Sequence, residues 1–283
     1  MLLATTLFSL SLFRAVVAGV VRRGNTISVT PHDSYQSSAG VLGCYINTNR
    51  VAYWPSSPDC NDICVKLTYG DRSLHVLKID ISMGAYDISY DAWNELVYGE
   101  SAHDSPHAGG GEPMEYEFVD MEHCEDLILT EDKKLPFVGM NGMSFVGPCL
   151  EKGDNYVSRN YVFYNIADAV CTLGVEERCR LDPGFNTPNC TTDSNDQNGV
   201  YGFSQEPLEA ENPVINIRYP DGTFADALGN AVLVDEAQTS GASPTGGTFK
   251  ESDTSGDNST SIIQPFQALV MLGALLKNAF KDA

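Results

Sequence analysis

The chain is poor in positive charge. Its 283 residues carry 17 Lys and Arg against 38 Asp and Glu, a formal net charge of −21. Nucleic acids and anionic membrane surfaces are held by basic patches, so both classes of partner are excluded. The same charge suits a soluble chain kept apart from its copies by self-repulsion. Catalytic signatures are missing too. No GxSxG string supplies a nucleophile elbow, and no GxxxxGK[ST] string supplies a phosphate cradle. The cysteines form no CxxC pair and there are only five histidines, so a zinc site lacks its usual ligand spacing. His103 and His107 stand four apart, but Pro106 and the glycines at 109–111 forbid the helix that would aim both at one metal. No cofactor motif is present. No uninterrupted apolar run reaches the roughly 20 residues that a membrane-spanning helix needs.

What is present points outward from the cell. The first 18 residues, MLLATTLFSLSLFRAVVA, read as a secretory signal peptide. Their apolar stretch is short, and Val16 and Ala18 form a small-residue cleavage site. Arg14 interrupts the stretch, and a buried N-terminal strand or helix is the competing reading. Residues 19–40 are expected to be an N-terminal arm or a propeptide, with Arg22-Arg23 as a dibasic cleavage point. Eight cysteines (Cys44, Cys60, Cys64, Cys124, Cys149, Cys171, Cys179 and Cys190) imply up to four disulfides in an exported chain, with the pairing left open by the spacing. With all of them oxidised, none serves as a thiol nucleophile. Asn189 and Asn258 head glycosylation sequons.

The carboxy end has its own layout. Residues 236–261 are rich in Ser, Thr and Gly and read as a disordered stalk unable to bury a core. An apolar tail at 262–283 follows. Small residues, a polar spacer and an apolar tail are the arrangement of a GPI-anchor signal, with Ser255 or Gly256 as the attachment point. An amphipathic docking helix is the alternative. Membrane attachment would then come only through this anchor.

That leaves 41–235 as the folded extracellular domain, expected to be a monomer, with a barrel-like core over about 41–150. Ile63 to Tyr69 alternates as a strand, and Ser73 to Ile79 is rich in β-formers. Gly70-Asp71 between them has the chemistry of a type II′ hairpin turn. Tyr45 to Trp54 is a third candidate strand. Ser89 stands where a helix N-cap belongs, Trp93, Leu96 and Val97 recur at helical spacing, and Gly99 supplies a left-handed stop. A helix is predicted from Tyr90 to Tyr98. Asp120 to Leu129 reads as a short helix tied down by Cys124. Cys149 to Cys190 reads as a disulfide-braced appendage, and Val214 to Tyr219 as a last strand. The expected fold class is mainly β, a barrel with short helices.

The Cys60 to Gly99 stretch carries a resemblance. A cysteine-flanked hairpin, then KID, a glycine turn, YDIS and a helix resembles the double-psi β-barrel group of barwin-like proteins, expansins and related endoglucanases. Their His-Phe-Asp-Leu-Ser motif corresponds here to Ala85, Tyr86, Asp87, Ile88 and Ser89, with the histidine absent. The chain also resembles a class of secreted fungal proteins of unassigned activity that share RVAYWP…C…ICVK…KID…YDISYDAW. The fold-level resemblance covers about forty to sixty residues.

It implies a double-psi-like barrel and a wall-active surface. Inverting hydrolysis needs two carboxyl groups about 6.5–9.5 Å apart. In the resembling endoglucanases the base follows a Tyr-aromatic pair. Here that pair is Tyr53-Trp54, and Pro55 follows it. Asp59 and Asp62 are substitute candidates. Asp87 is read first as a cap on the Tyr90 helix and second as a general acid. The expectation is a cell-wall-associated, non-hydrolytic protein binding glycan or matrix through Tyr53, Trp54, Tyr86 and Asp87, whose rings offer flat apolar faces. An expansin-like or endoglucanase-like activity using Asp87, and a secreted effector without a pocket, are the alternatives.

Overall fold

The computed structural model describes residues 25–190 and 203–233. The expected signal peptide, the expected stalk, the apolar tail and the sequon at Asn258 lie outside the described residues. The strands are β1 (Asn25–His32), β2 (Val51–Trp54), β3 (Cys64–Tyr69), β4 (Arg72–Ile81) and β5 (Tyr86–Ser89). Helix α1 (Tyr90–Tyr98) and β6 (Glu112–Phe118) follow. Then come β7 (Leu135–Val138), α2 (Met143–Lys152), α3 (Tyr156–Arg159), β8 (Tyr161–Ile166), β9 (Gly174–Cys179), β10 (Asn216–Ile217) and β11 (Phe224–Ala225).

The first six strands close into a mixed barrel of order β1-β5-β2-β4-β3-β6. The pairs β1–β5 and β2–β4 are parallel, and the other four are antiparallel. Exchanging β1 with β4, β2 with β5 and β3 with β6 leaves every neighbour and every direction unchanged. The barrel is therefore two interlocked three-strand halves related by a pseudo-two-fold. Closure removes the unpaired sheet edges that would invite aggregation.

The barrel strand β1 corrects the expected arm over 19–40. Its Ile27 and Val29 alternate with polar residues as a half-buried strand requires. The expected barrel over 41–150 is likewise shifted, because its last strand ends at Phe118. The hairpin stands as read. Tyr69 pairs with Arg72 across two residues, and Gly70 has φ 62°. Helix α1 runs over Tyr90–Tyr98 and stops at left-handed Gly99. The candidate strand Tyr45 to Trp54 becomes two 3-10 turns followed by β2. Asp120 to Leu129 holds a 3-10 helix, Met121–Leu127, and the strand expected at Val214 to Tyr219 shrinks to Asn216–Ile217.

Alternation sorts side chains to two cores. Val29, Ala52, Val65, Leu67, Val76, Ile88 and Met114 fill the barrel together with Trp93 and Leu96 of α1. Helix α1 thus plugs one end. On the outside, Val51, Tyr53, Leu77 and Ile79 pack against Phe137 and Phe163 of the β7-β8-β9 layer and Val146 of α2. Four disulfides tie the parts: Cys44–Cys171, Cys60–Cys149, Cys64–Cys124 and Cys179–Cys190. The expected appendage over Cys149 to Cys190 is corrected by this pairing. Only its last bridge is internal, and the layer shares one core with the barrel's outer face. Four disulfides are the economy of a chain matured in an oxidising compartment.

Candidate functional site

Strand alternation divides the four expected binding residues. Trp54 and Tyr86 turn into the barrel, while Tyr53 and Asp87 stand on its outer face, directly paired across β2 and β5. A single surface through all four does not form.

The inward pair sits at the end opposite α1. Trp54 is buried at 2 % exposure and is ringed by Tyr86, Tyr116 and Phe118. Their ring centroids lie 5.3, 4.9 and 5.7 Å from the indole. Phe118 is 39 % exposed, Tyr86 and Tyr116 are half-buried, and Ile81 beside Trp54 is exposed. Trp54 is the floor of this cluster and offers no open ring face. The open faces belong to its neighbours. Tyr116 and Phe118 were missed from sequence, although Met114, Tyr116 and Phe118 recur at the period of a strand.

Lys78 completes this end. Its residue is buried, and its ammonium donates to Ser56 Oγ at 2.9 Å and to the Ser57 carbonyl at 3.0 Å. It lies 5.6 Å from the Trp54 ring centre and 5.8 Å from that of Phe118, within cation–π range. Burial holds its pKa below the usual lysine value, against an upward pull from Asp59 and Asp62. These two carboxylates therefore act on Lys78.

On the outer face, Asp87 belongs to β5 and is half-buried. It accepts a hydrogen bond from Thr30 Oγ1 of the adjacent β1. This corrects its reading as the cap of α1. The N-cap position is Ser89, whose side chain makes no capping bond. Tyr53 pairs with Asp87 on one side and with Asp80 on the other. The two aspartates are two strands apart, about 10 Å from backbone to backbone. Tyr53, 4 % exposed, stands between them on the same face. Burial pushes the Tyr53 phenol well above its usual pKa. Asp80 accepts from Ser38 N–H, Ser38 Oγ–H and Ile81 N–H. It reaches the outer face because a register shift in β2–β4 pairs Ala52 with Lys78 but Tyr53 with Asp80. An extra residue at Ile79 thus puts Lys78 and Asp80 on opposite sides.

Among the described residues no three His, Cys, Asp or Glu side chains gather as a metal site requires. His103 stacks on Phe224 and His107 on Tyr98. Asn189 is half-buried and its backbone bridges to Arg180, beside the Cys179–Cys190 bond. No known protein family and no curated protein matches this chain. Among the described residues no helix is long and apolar enough to cross a membrane.

Proposed function

We propose that this is a secreted or cell-surface, cell-wall-associated protein that binds glycan or matrix without hydrolysing it. The barrel is read as double-psi in type, on the strength of its pseudo-two-fold strand order. The observation that carries the binding function is the aromatic end: three partly open rings set around Trp54. Rings of this kind stack on sugar faces while their rims stay wet. The non-hydrolytic part rests on the outer face, where Tyr53 stands between Asp87 and Asp80.

The test is retention of the folded protein on insoluble chitin, β-glucan and cellulose. Retention on at least one is expected, and Phe118→Ala or Tyr86→Ala should weaken it about threefold or more. Absence of retention on all three removes the glycan reading. The half-exposed Asp87 carboxylate favours one competing reading, an expansin-like or endoglucanase-like activity with Asp87 as general acid. Glycan cleavage or loosening that is lost in Asp87→Asn would establish that reading instead.

A further inference from the structure

A second concavity adjoins the aromatic end across Ile81 and Ser57, between the outer end of β4, the 56–60 loop and α2. It has a volume of about 340 Å³ and a mouth open to solvent. That volume falls within the range of small-ligand sites. Pro58, Ile81, Phe145 and Pro148 give it an apolar strip. Asp80 lines it at one side and Lys152 at another.

The two charged groups differ in kind. Asp80 is 5 % exposed, and no cation among the described residues pairs with it. Its three hydrogen bonds all come from neutral donors, Ser38 and the Ile81 amide. A carboxylate has about four acceptor positions, so one stays open. A buried charge is ordinarily paired, and this one has no cationic partner among the described residues. Lys78, one turn of the strand pleat away, is directed to the other side of the sheet. Lys152 is exposed near the end of α2 and makes no ion pair among the described residues. A ligand that answers both groups has an ammonium at its buried end, a carboxylate at the rim and apolar side chains between.

We infer that this groove binds a short apolar peptide by its free amino terminus, with the ammonium against Asp80 and the carboxylate toward Lys152. The groove holds about a dipeptide. The experiment is calorimetric or NMR titration of the full-length protein with the dipeptide Leu-Phe, its N-acetyl form and its C-terminal amide. Binding of Leu-Phe is expected, at least tenfold tighter than N-acetyl-Leu-Phe. Lys152→Ala should weaken Leu-Phe several-fold and leave the amide unchanged. Asp80→Asn should erase the preference for the free ammonium. Because that substitution also touches the Ser38 loop, Ser144→Trp serves as a second variant that fills the mouth from an exposed position, and it should abolish binding in a folded protein. No binding of Leu-Phe to the wild type at millimolar concentration overturns the inference. So does equal binding of the acetylated form, or binding undiminished in Ser144→Trp. Retention on glycan is read separately and does not depend on any of these outcomes.

Discussion

Two buried polar side chains show how far local chemistry is bent by the fold. Lys78 is a cation under an aromatic cluster, and folding lowers its pKa below 10.5, chiefly by desolvation. The charged form is therefore penalised in the folded state. That penalty is present in full below the folded-state pKa and fades as pH rises through the interval up to the unfolded value. Stability should rise with pH across that interval. Lys78→Met removes the penalty together with its pH dependence. The variant should be at least as stable as the wild type at pH 7, with the difference in Tm shrinking toward pH 10 and above. A large loss of Tm at pH 7 would show that the bonds to Ser56 and Ser57 outweigh the desolvation.

Ser89 is the second case. It occupies the N-cap position of α1, yet its hydroxyl is buried and finds no partner among the described residues. A capping serine replaced by alanine ordinarily costs about 1 kcal/mol. Here the substitution removes an unsatisfied hydroxyl instead, so Ser89→Ala should leave Tm unchanged or raise it. A fall of several degrees on thermal unfolding would show that the hydroxyl is bonded in solution.

At the level of elements, the hairpin β3–β4 is the most local piece of the fold. Gly70 takes φ 62° in a two-residue turn, and a Cβ there would meet no atom within 4 Å. The cost of a side chain is then purely that of the left-handed backbone, about 1–2 kcal/mol. Gly70→Ala should lower stability by that amount in denaturant titration, with β-sheet content unchanged, and Gly70→Asn by less. Both the hairpin and α1 were legible because their signals are short-range: a glycine-first turn, helical spacing and a glycine stop. β1 and β6 were not. Each is a short alternating segment whose partners lie far off in sequence, and β1 stands directly after the dibasic pair that suggested processing. The β2–β4 register shift had no sequence signal at all. It depends on how many residues each strand spends crossing the barrel wall.

On the scale of the whole molecule, the disulfides divide by the length of chain they close. Cys44–Cys171 spans a separation of 127 residues, and Cys179–Cys190 spans 11. Loop-closure entropy makes the long bridge worth roughly 2 kcal/mol more than the short one. Replacing both cysteines of the long pair with serine should lower Tm well beyond the same change in the short pair. Equal losses would assign the stabilisation to local packing. The Cys44–Cys171 and Cys60–Cys149 bridges also hold the second layer against the barrel, where its apolar face covers Tyr53 and Ile79.

The sequence by itself determined the class of protein: acidic, disulfide-braced, mainly β, with a hairpin and one helix placed nearly to the residue. These follow from composition and from contacts between neighbours in the chain, which a linear pattern records. It also nominated Trp54, Tyr86 and Asp87 as residues of interest. Only the tertiary structure decided which way they face. Closing the barrel sent Trp54 and Tyr86 inward to join Tyr116 and Phe118, and sent Tyr53 and Asp87 to the outer face, where a second layer covers Tyr53. Which face a strand residue joins depends on register, and register is set by partners dozens of residues away. The same register shift put Asp80 at a groove that no sequence motif marks.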